Sequence, residues 1–576
     1  MTTSLHERAA ALILDAFLDY NARFSDITRR AKRRFERRDW KYVQVDANAR
    51  GDLYDVCLKE TLGRLELLAE ERLRSRAFWA ATRDALAQRV EPMLDREFPK
   101  TFFNSLSRRR FQTAGVAADI EFVDLHSEPT TGIVDAVDLH RYEVADGMRR
   151  VCARILADYP FANGYADIKA CVGAIARSLR DRLQHRHASG LQSIELIPVP
   201  FFRERRAYLV GRAVSERGHL PVVIALVSTP QGVMADAVLT EVEQLSQLFS
   251  YARSYFHADL PTVADIVVFL SALMPHKPID ELFTLLGRVK QGKTERYRHL
   301  FRHLQRHADE RLVRADGARG MVMAVFTPRD YPLVFKVIRD RFAYPKDIGR
   351  RQVEEKYRLV FRHDRIGRLL DAQEFRHLHF RRDQFDADML EELLGECAEA
   401  VSVQDDQVLV RHCYVQRRLR PMNLFVREAS ADDALRAMLD YGQSIKDLAR
   451  SNVFPGDLLL KNFGISRGGR AIFYDYDELC LLDDCRFRSL PEAREEDETR
   501  PLEEWLTVRE GDVFPEMFPR FLGVPAHLRD ALVEAHGEIF DDVWWRRTQA
   551  ELAEGRYLDV APYTDLARLM HTHKPD

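Results

Sequence analysis

The stretch that most constrains this chain is residues 452–478, NVFPGDLLLKNFGISRGGRAIFYDYDE. Asp457 and Asn462 stand there in D-x4-N spacing, with apolar Leu458–Leu460 between them. Phe463–Ser466 and Ala471–Tyr474 read as two short strands around the turn residues Gly468-Gly469, a tight hairpin with Asp475 directly after it. Taken alone, this is either a buried acidic hairpin in a structural sheet or a loop that brings two carboxylates and an amide to one place.

The segment upstream favours the second reading. Leu312–Arg314 reads as a strand leading into Ala315-Asp316-Gly317-Ala318-Arg319-Gly320-Met321. A strand Val322–Phe326, a turn Thr327–Asp330 and a strand Pro332–Ile338 carrying Lys336 follow. Glycines let backbone N–H groups approach phosphate oxygens because no Cβ intervenes. Gly317 and Gly320 match only part of a GxGxxG pattern, so by itself this is an ordinary hairpin turn. Glycine loop, strand lysine, D-x4-N and hairpin aspartate in that order are the parts of a kinase. Phosphoryl transfer asks a protein mainly to position groups and neutralise charge. Lys336 then reaches the phosphates, Asp457 orients or deprotonates a hydroxyl, and Asn462 and Asp475 hold Mg²⁺. The kinase DFG triplet is here Asp475-Tyr476-Asp477.

Two further parts suit that order. The helical stretch Asp347–Leu370 carries Glu354, expected to pair with Lys336, with Glu355 as its rival one residue on. The strand Val408–Val415 runs into Gln416-Arg417-Arg418-Leu419-Arg420-Pro421, where a hinge between two lobes would place Arg417 and Leu419 beside the adenine. His363-Asp364-Arg365 looks like a scrambled HRD but stands in the wrong place for a catalytic loop.

The rest of the chain carries no recognisable catalytic spacing. At roughly 150 residues per domain, 576 residues allow about two to four domains. Ala9, Leu12, Ile13, Ala16, Phe17 and Tyr20 mark one buried helix face, and further helical stretches run near 51–75, 76–92, 141–158 and 166–184. Ser193–Phe202, Arg206–Val214 and Leu220–Ser228 read as strands with a turn at Gly218, and helical patterns return through about 308. The expected fold class is α+β: a mostly helical domain with a small sheet over 1–310, then a bilobal kinase-like domain over 311–576, its N-lobe about 311–416 and its C-lobe about 417–576.

With 87 Lys+Arg against 90 Asp+Glu the chain is nearly neutral, which argues against a nucleic-acid coat or a polybasic membrane binder. The basic run Arg29–Arg38 is expected to be a solvated helix face. The best apolar stretch, Val263–Met274, contains Asp265 and is too short to span a membrane. Seven cysteines (Cys57, Cys152, Cys171, Cys397, Cys413, Cys480 and Cys485) form no CxxC pair, which points to reduced thiols and a cytoplasmic location. The H-x-H pairs His185/His187, His377/His379 and His571/His573 lack the spacing of a helical metal site and are expected to be surface histidines.

With these residues assembled, the chain resembles the isocitrate dehydrogenase kinase/phosphatase family over essentially its whole length. The most specific strings are GARGMVMAVFTPRDYPLVFKVIRDRFAYPKD at 317–347, HDRIGRLLDAQEF at 363–375, RRLRPMNLF at 417–425, and NVFPGDLLLKNFGI with YDYDE within 452–478. The resemblance implies a bifunctional enzyme of the glyoxylate branch point. It phosphorylates an active-site serine of isocitrate dehydrogenase, removes that phosphate, and hydrolyses ATP, all through one ATP/ADP site with Mg²⁺ or Mn²⁺. It implies a regulatory N-terminal domain, with AMP as an effector that favours the phosphatase. Residue by residue, it puts the ATP site at Ala315–Met321 and Lys336, an active-site aspartate at Asp371, the kinase base at Asp457, metal ligands at Asn462 and Asp475, and a phosphatase-linked acid at Asp477. By spacing Asp457 ranks first as the base, and Asp371 suits a structural or substrate-positioning role at least as well.

A carboxylate at Asp477, in place of the DFG glycine, is expected to orient a water for phosphate removal. The acidic stretch Arg488–Trp505 is read as a docking loop for a folded protein, against the blander reading of a solvated loop. Two other functions remain compatible with the motifs: a kinase-fold phosphotransferase on another substrate, and a nucleotide-sensing pseudokinase.

Overall fold

In the computed structural model the described residues are 4–113, 116–130, 137–184, 190–250, 255–343, 349–363, 367–490, 508–556 and 561–569. They divide into two compact units, one of residues 4–250, 255–307 and 561–569, the other of residues 308–556. Both mix helix and sheet.

The first unit opens with helices α1 (Leu5–Arg37), α2 (Trp40–Ala69), α3 (Arg76–Val90) and α4 (Glu97–Phe111). A capping box starts α1: the Ser4 hydroxyl accepts from the Glu7 amide, and the Glu7 carboxylate accepts from the Ser4 amide at 2.8 Å. The bundle closes on aromatic rings, with Phe17 edge-on to Phe98 at 5.2 Å and Tyr20 edge-on to Tyr54 at 5.4 Å. On the basic face of α1, Arg30 and Arg34 donate to buried Asp46 and Arg29 pairs with Asp259. Strand β1 (His140–Glu143) and helices α5 (Met148–Asp158) and α6 (Ile168–Gln184) follow. Strands β2 (Leu191–Leu196), β3 (Phe201–Arg203), β4 (Arg206–Ser215), β5 (Gly218–Thr229) and β6 (Gly232–Leu239) then complete an antiparallel sheet. Its order is β1-β2-β4-β5-β6, with β3 also on β4. The unit continues through α7 (Val242–Leu248), α8 (Ala264–Leu273), α9 (Ile279–Leu285) and α10 (Val289–Arg306).

Several sequence expectations need correction here. The helical stretch expected near 51–75 is the latter part of α2, which starts at Trp40 and ends at Ala69, followed by a 3-10 turn Glu70–Arg74, and α4 is a further helix beyond those the periodicity marks. Residues 141–143, expected to open a helix, instead belong to β1 and pair with β2, Tyr142 opposite Ile194, because the sheet offers that edge a hydrogen-bonding partner. Residues 232–239 were read as helical but form β6, since hydrogen bonding to β5 outweighs the weak helical pattern of GVMADAVL. Residues 561–569 leave the second half of the chain and pack in the first unit, where the Tyr563 hydroxyl bonds Asp236 and the Leu569 amide donates to the Asp236 carbonyl at 2.8 Å.

The second unit starts with β7 (Leu312–Arg314), β8 (Met323–Pro328), β9 (Leu333–Ile338), α11 (Arg350–His363), β10 (Ala372–Arg381), α12 (Ala387–Glu396), β11 (Val401–Gln404) and β12 (Gln407–Arg417). The antiparallel sheet runs β10-β12-β9-β8-β7, with β11 also on β12. The helix read over 347–370 ends at His363, and Leu369 instead bridges to Phe473. Residues 364–366, and with them most of the HDR triplet, lie outside the described residues, as do His185, His187, His571, His573 and residues 491–507 of the acidic stretch.

Beyond β12 come β13 (Arg420–Pro421), α13 (Met422–Glu428), α14 (Ala431–Arg450), β14 (Val453–Phe454), β15 (Phe463–Ile465), β16 (Ala471–Phe473) and β17 (Cys480–Leu481). Helices Ala526–His536 and Asp542–Ala553 pack on the core that α14 shares with Trp545. Among the described residues no helix is long and apolar enough to cross a membrane, and no three or more His, Cys, Asp or Glu side chains gather as a metal-holding group. None of the seven cysteines is in a disulfide.

Candidate active site

A cavity of about 580 Å³ opens in the second unit under the glycine loop. Residues 315–321 line it, together with Lys336, Arg417, Leu419, Asp457, Asn462, Asp475 and Asp477. Ala315, Asp316, Gly317, Ala318, Arg319, Gly320 and Met321 connect β7 to β8, and the Ala315 amide donates to the Val325 carbonyl at 3.1 Å. Gly317 has φ +114°, a backbone that L side chains rarely adopt. At Gly320 a Cβ would stand 2.6 Å from the Met323 carbonyl oxygen, so the loop folds back on itself only because no side chain is there. Arg420 reaches across the mouth and donates to Asp316 at 2.6 Å.

Lys336 lies in the middle of β9, opposite Val325 on β8 and Tyr414 on β12. It is buried, and its Nζ donates to the Tyr474 carbonyl at 2.7 Å while standing 4.9 Å above the Tyr474 ring. Burial strips water from the ammonium and lowers its pKa below the ordinary lysine value. The charges of Asp475 and Asp477 oppose that shift. The expected ion pair with Glu354 or Glu355 is not formed: Glu354 pairs with Arg358 at 3.3 Å and Glu355 with Arg351 at 3.1 Å. The cause lies in α11, whose buried face is Val353, Tyr357 and Val360. Glu354 and Glu355 flank that face and find arginines one turn along the same helix.

The D-x4-N loop follows β14. Gly456, at φ +81°, turns the chain into Asp457, whose Oδ1 accepts from the Leu459 amide at 2.9 Å. Buried Leu458 and Leu460 anchor the loop from below, and a short 3-10 turn, Leu460–Asn462, ends it. Asn462 commits its amide N–H to the Asp457 carbonyl at 3.4 Å, which keeps its oxygen, a hard donor, as the group that can accept. The hairpin forms as the glycines predict, Phe463 opposite Phe473, and the Tyr474 amide returns to the Asn462 carbonyl at 3.1 Å. In extended backbone alternate side chains face opposite ways. Tyr476 is therefore buried against Tyr357, at 5.1 Å between rings, while Asp475 and Asp477 both reach the cavity.

The segment after β12 holds the remaining wall. The Arg418 amide donates to the Pro332 carbonyl at 2.9 Å and its guanidinium to the carbonyls of Pro328 and Arg329. Gly464 admits Leu419, because a Cβ there would stand 2.5 Å from the Leu419 Cβ. Asp371 precedes β10 and does not line the cavity, although its neighbour Leu370 does. Sequence reasoning missed Arg314, Arg339, Glu392 and Lys461 on the cavity wall. Lys461 beside Asn462 was legible by spacing; Glu392, on α12, gave no local signal.

Hard oxygen donors at Asn462 and Asp475, beside a glycine cradle and a buried lysine, suit a magnesium–nucleotide pair. Comparison with known sequences identifies the family. Residues 310–565 match the family model described as "Isocitrate dehydrogenase kinase/phosphatase (AceK) kinase domain", and residues 10–309 match the corresponding regulatory domain. The chain is 52% identical over 561 residues to the isocitrate dehydrogenase kinase/phosphatase of Xanthomonas euvesicatoria pv. vesicatoria (strain 85-10), covering 97% of each chain. It is 42% identical over 568 residues to the protein of that name from Anaeromyxobacter sp. (strain Fw109-5), covering 98% of each. Both matched domains and the matched length place this chain in the isocitrate dehydrogenase kinase/phosphatase family.

Proposed function

We propose that the chain is a bifunctional protein kinase and phosphatase acting on a serine of isocitrate dehydrogenase through a single ATP site. It also hydrolyses ATP, and it sets flux between the tricarboxylic acid cycle and the glyoxylate bypass. The observation that carries this is the convergence of Lys336, Asp457, Asn462, Asp475 and Asp477 on one cavity beneath the 315–321 loop.

In this reading residues 311 to about 556 form a bilobal kinase-like domain, its N-lobe ending near 416 at the segment that holds Arg417 and Leu419, and residues 1–310, joined by 561–569, form a regulatory domain that responds to AMP. Lys336 and the 315–321 amides bind the phosphates, and Arg417 and Leu419 border the adenine. Asn462 and Asp475 hold Mg²⁺ or Mn²⁺, which supplies positive charge against the phosphates when bound. In the kinase direction Asp457 takes the proton of the serine hydroxyl. In the phosphatase direction Asp477 orients water, a role open to it because it shares the cavity with Asp475. Asp371 supports the site from just outside it. Seven cysteines without a disulfide suit work in the cytoplasm.

The test is a time course with pure protein, Mg·ATP and isocitrate dehydrogenase, adding AMP midway. Phosphate should appear on the dehydrogenase and then leave after AMP. ATP hydrolysis without incorporation would remove isocitrate dehydrogenase as the substrate.

A further inference from the structure

The glycine loop needs something to hold it against the sheet, and the lysine–glutamate pair that would link sheet to helix is absent. The structure supplies a different anchor on α12. Glu392 is buried there, and three arginines converge on it, from the end of β7, from inside the loop and from just after β9. Arg314, the last residue of β7, donates through Nε and Nη2 to Glu392 at 2.9 and 2.6 Å. Arg319, inside the loop, donates to Glu392 at 3.2 Å and also pairs with Glu396. Arg339, just after β9, forks between Glu392 and Glu396 and turns its Nε onto the Gly320 carbonyl at 3.0 Å.

Glu392 and Glu396 are one turn apart, so one face of α12 presents both carboxylates to the same guanidiniums. Two carboxylates against three guanidiniums leave this cluster one positive charge in excess beside the loop. Burial pushes the Glu392 carboxyl up, but hydrogen bonds from Arg339, Arg314 and Arg319 outweigh it and hold the pKa below the ordinary value. Glu392 is therefore a fixed anion at neutral pH, and planar guanidiniums are well suited to transmit its position.

We propose that Glu392 is a positioning residue for the nucleotide, fixing the 315–321 loop through Arg339 and Arg319 in the shape that receives phosphate. The inference rests on reading that loop as the ATP site. Glu392 touches no reacting atom; it decides where the loop amides point before nucleotide arrives, so its loss should weaken binding and spare turnover.

The experiment measures Kd for Mg·ADP by calorimetry, and KM for ATP and kcat for ATP hydrolysis, in wild type, Glu392→Gln, Glu392→Asp, Arg339→Lys and Glu396→Gln. Glu392→Gln should raise Kd and KM by about tenfold or more with kcat within about threefold. Glu392→Asp should recover part of the loss. Arg339→Lys, which keeps the charge but loses the fork, should shift KM in the same direction, and it carries the test if Glu392→Gln does not fold. Half-exposed Glu396 should matter less, its Gln variant staying within about threefold of wild type. Unchanged Kd in folded Glu392→Gln or in Arg339→Lys, or a loss confined to kcat, overturns the proposal while leaving the nucleotide site intact. Wild type that does not bind Mg·ADP overturns that site reading and this inference with it.

Discussion

Lys336 Nζ donates to the backbone carbonyl of Tyr474 at 2.7 Å, which ties the middle of β9 to the residue immediately before Asp475. The lysine is thus registered against the acidic segment rather than against a helix glutamate, and its charge faces both Asp475 and Asp477.

From that register, Lys336→Ala and Asp457→Ala should both depress phosphate transfer to the dehydrogenase, by different routes. Removing a preorganised charge or a proton acceptor costs about 10²–10⁴ in rate. Lys336→Ala should also raise KM for ATP, whereas Asp457→Ala should lower kcat with KM for ATP little changed. Steady-state kinetics of phosphate incorporation separates the two.

Asp475 and Asp477 share the cavity but are assigned different work. Asp475→Asn should abolish kinase, phosphatase and ATPase activities together. Asp477→Ala should depress dephosphorylation of phospho-isocitrate dehydrogenase at least about tenfold more than phosphorylation, since only the former needs an oriented water. Equal loss of both activities would falsify the separate role of Asp477.

Arg368 is buried and donates to Asp447 at 2.8 Å, to Asp440 at 2.6 Å and to the Ala471 carbonyl, clamping α14 to the hairpin that ends at Asp475. Breaking such a buried pair from one side costs about 3–5 kcal/mol, so Arg368→Ala should lower the thermal midpoint markedly. Burial alone would raise the pKa of Asp440, but Arg368 holds it below the ordinary value. The unfolded chain therefore binds the proton first as pH falls. The Asp440 contribution is complete above about pH 4 and is lost at lower pH, as the folded carboxyl protonates. Denaturant midpoints of wild type and Asp440→Asn should converge as pH drops through that window.

Gly456 has φ +81°, and a Cβ there would stand 2.6 Å from both the Glu478 Cβ and its carbonyl oxygen. Gly456→Ala combines left-handed backbone strain with overpacking, on the order of 2 kcal/mol or more. Because Asp457 is the next residue and Glu478 follows Asp477, the variant should lose activity well below its unfolding temperature. Activity and circular dichroism measured across the same temperature range would check this.

The candidate chemistry was legible because its parts are local. D-x4-N, the Gly468-Gly469 hairpin and Asp475 lie within one short stretch, and their spacing alone brings them together. Lys336 was legible from its place on a strand after a glycine loop. Where weak periodicity met a sheet edge, as at 141–143 and 232–239, pairing with a neighbouring strand decided the outcome.

By itself, then, the sequence determined the two-part organisation, the glycine loop, and the order of lysine, aspartate, asparagine and aspartate, because backbone geometry and apolar periodicity act over a few residues. Only the tertiary structure decided which charges meet. It set Lys336 on the Tyr474 carbonyl across 138 residues and Arg314 on Glu392 across 78. It also returned residues 561–569 to the first unit. A charged side chain carries no mark of its partner. The partner is chosen when folding removes both from water and leaves each buried charge to be matched by whatever opposite charge the packing has brought within reach.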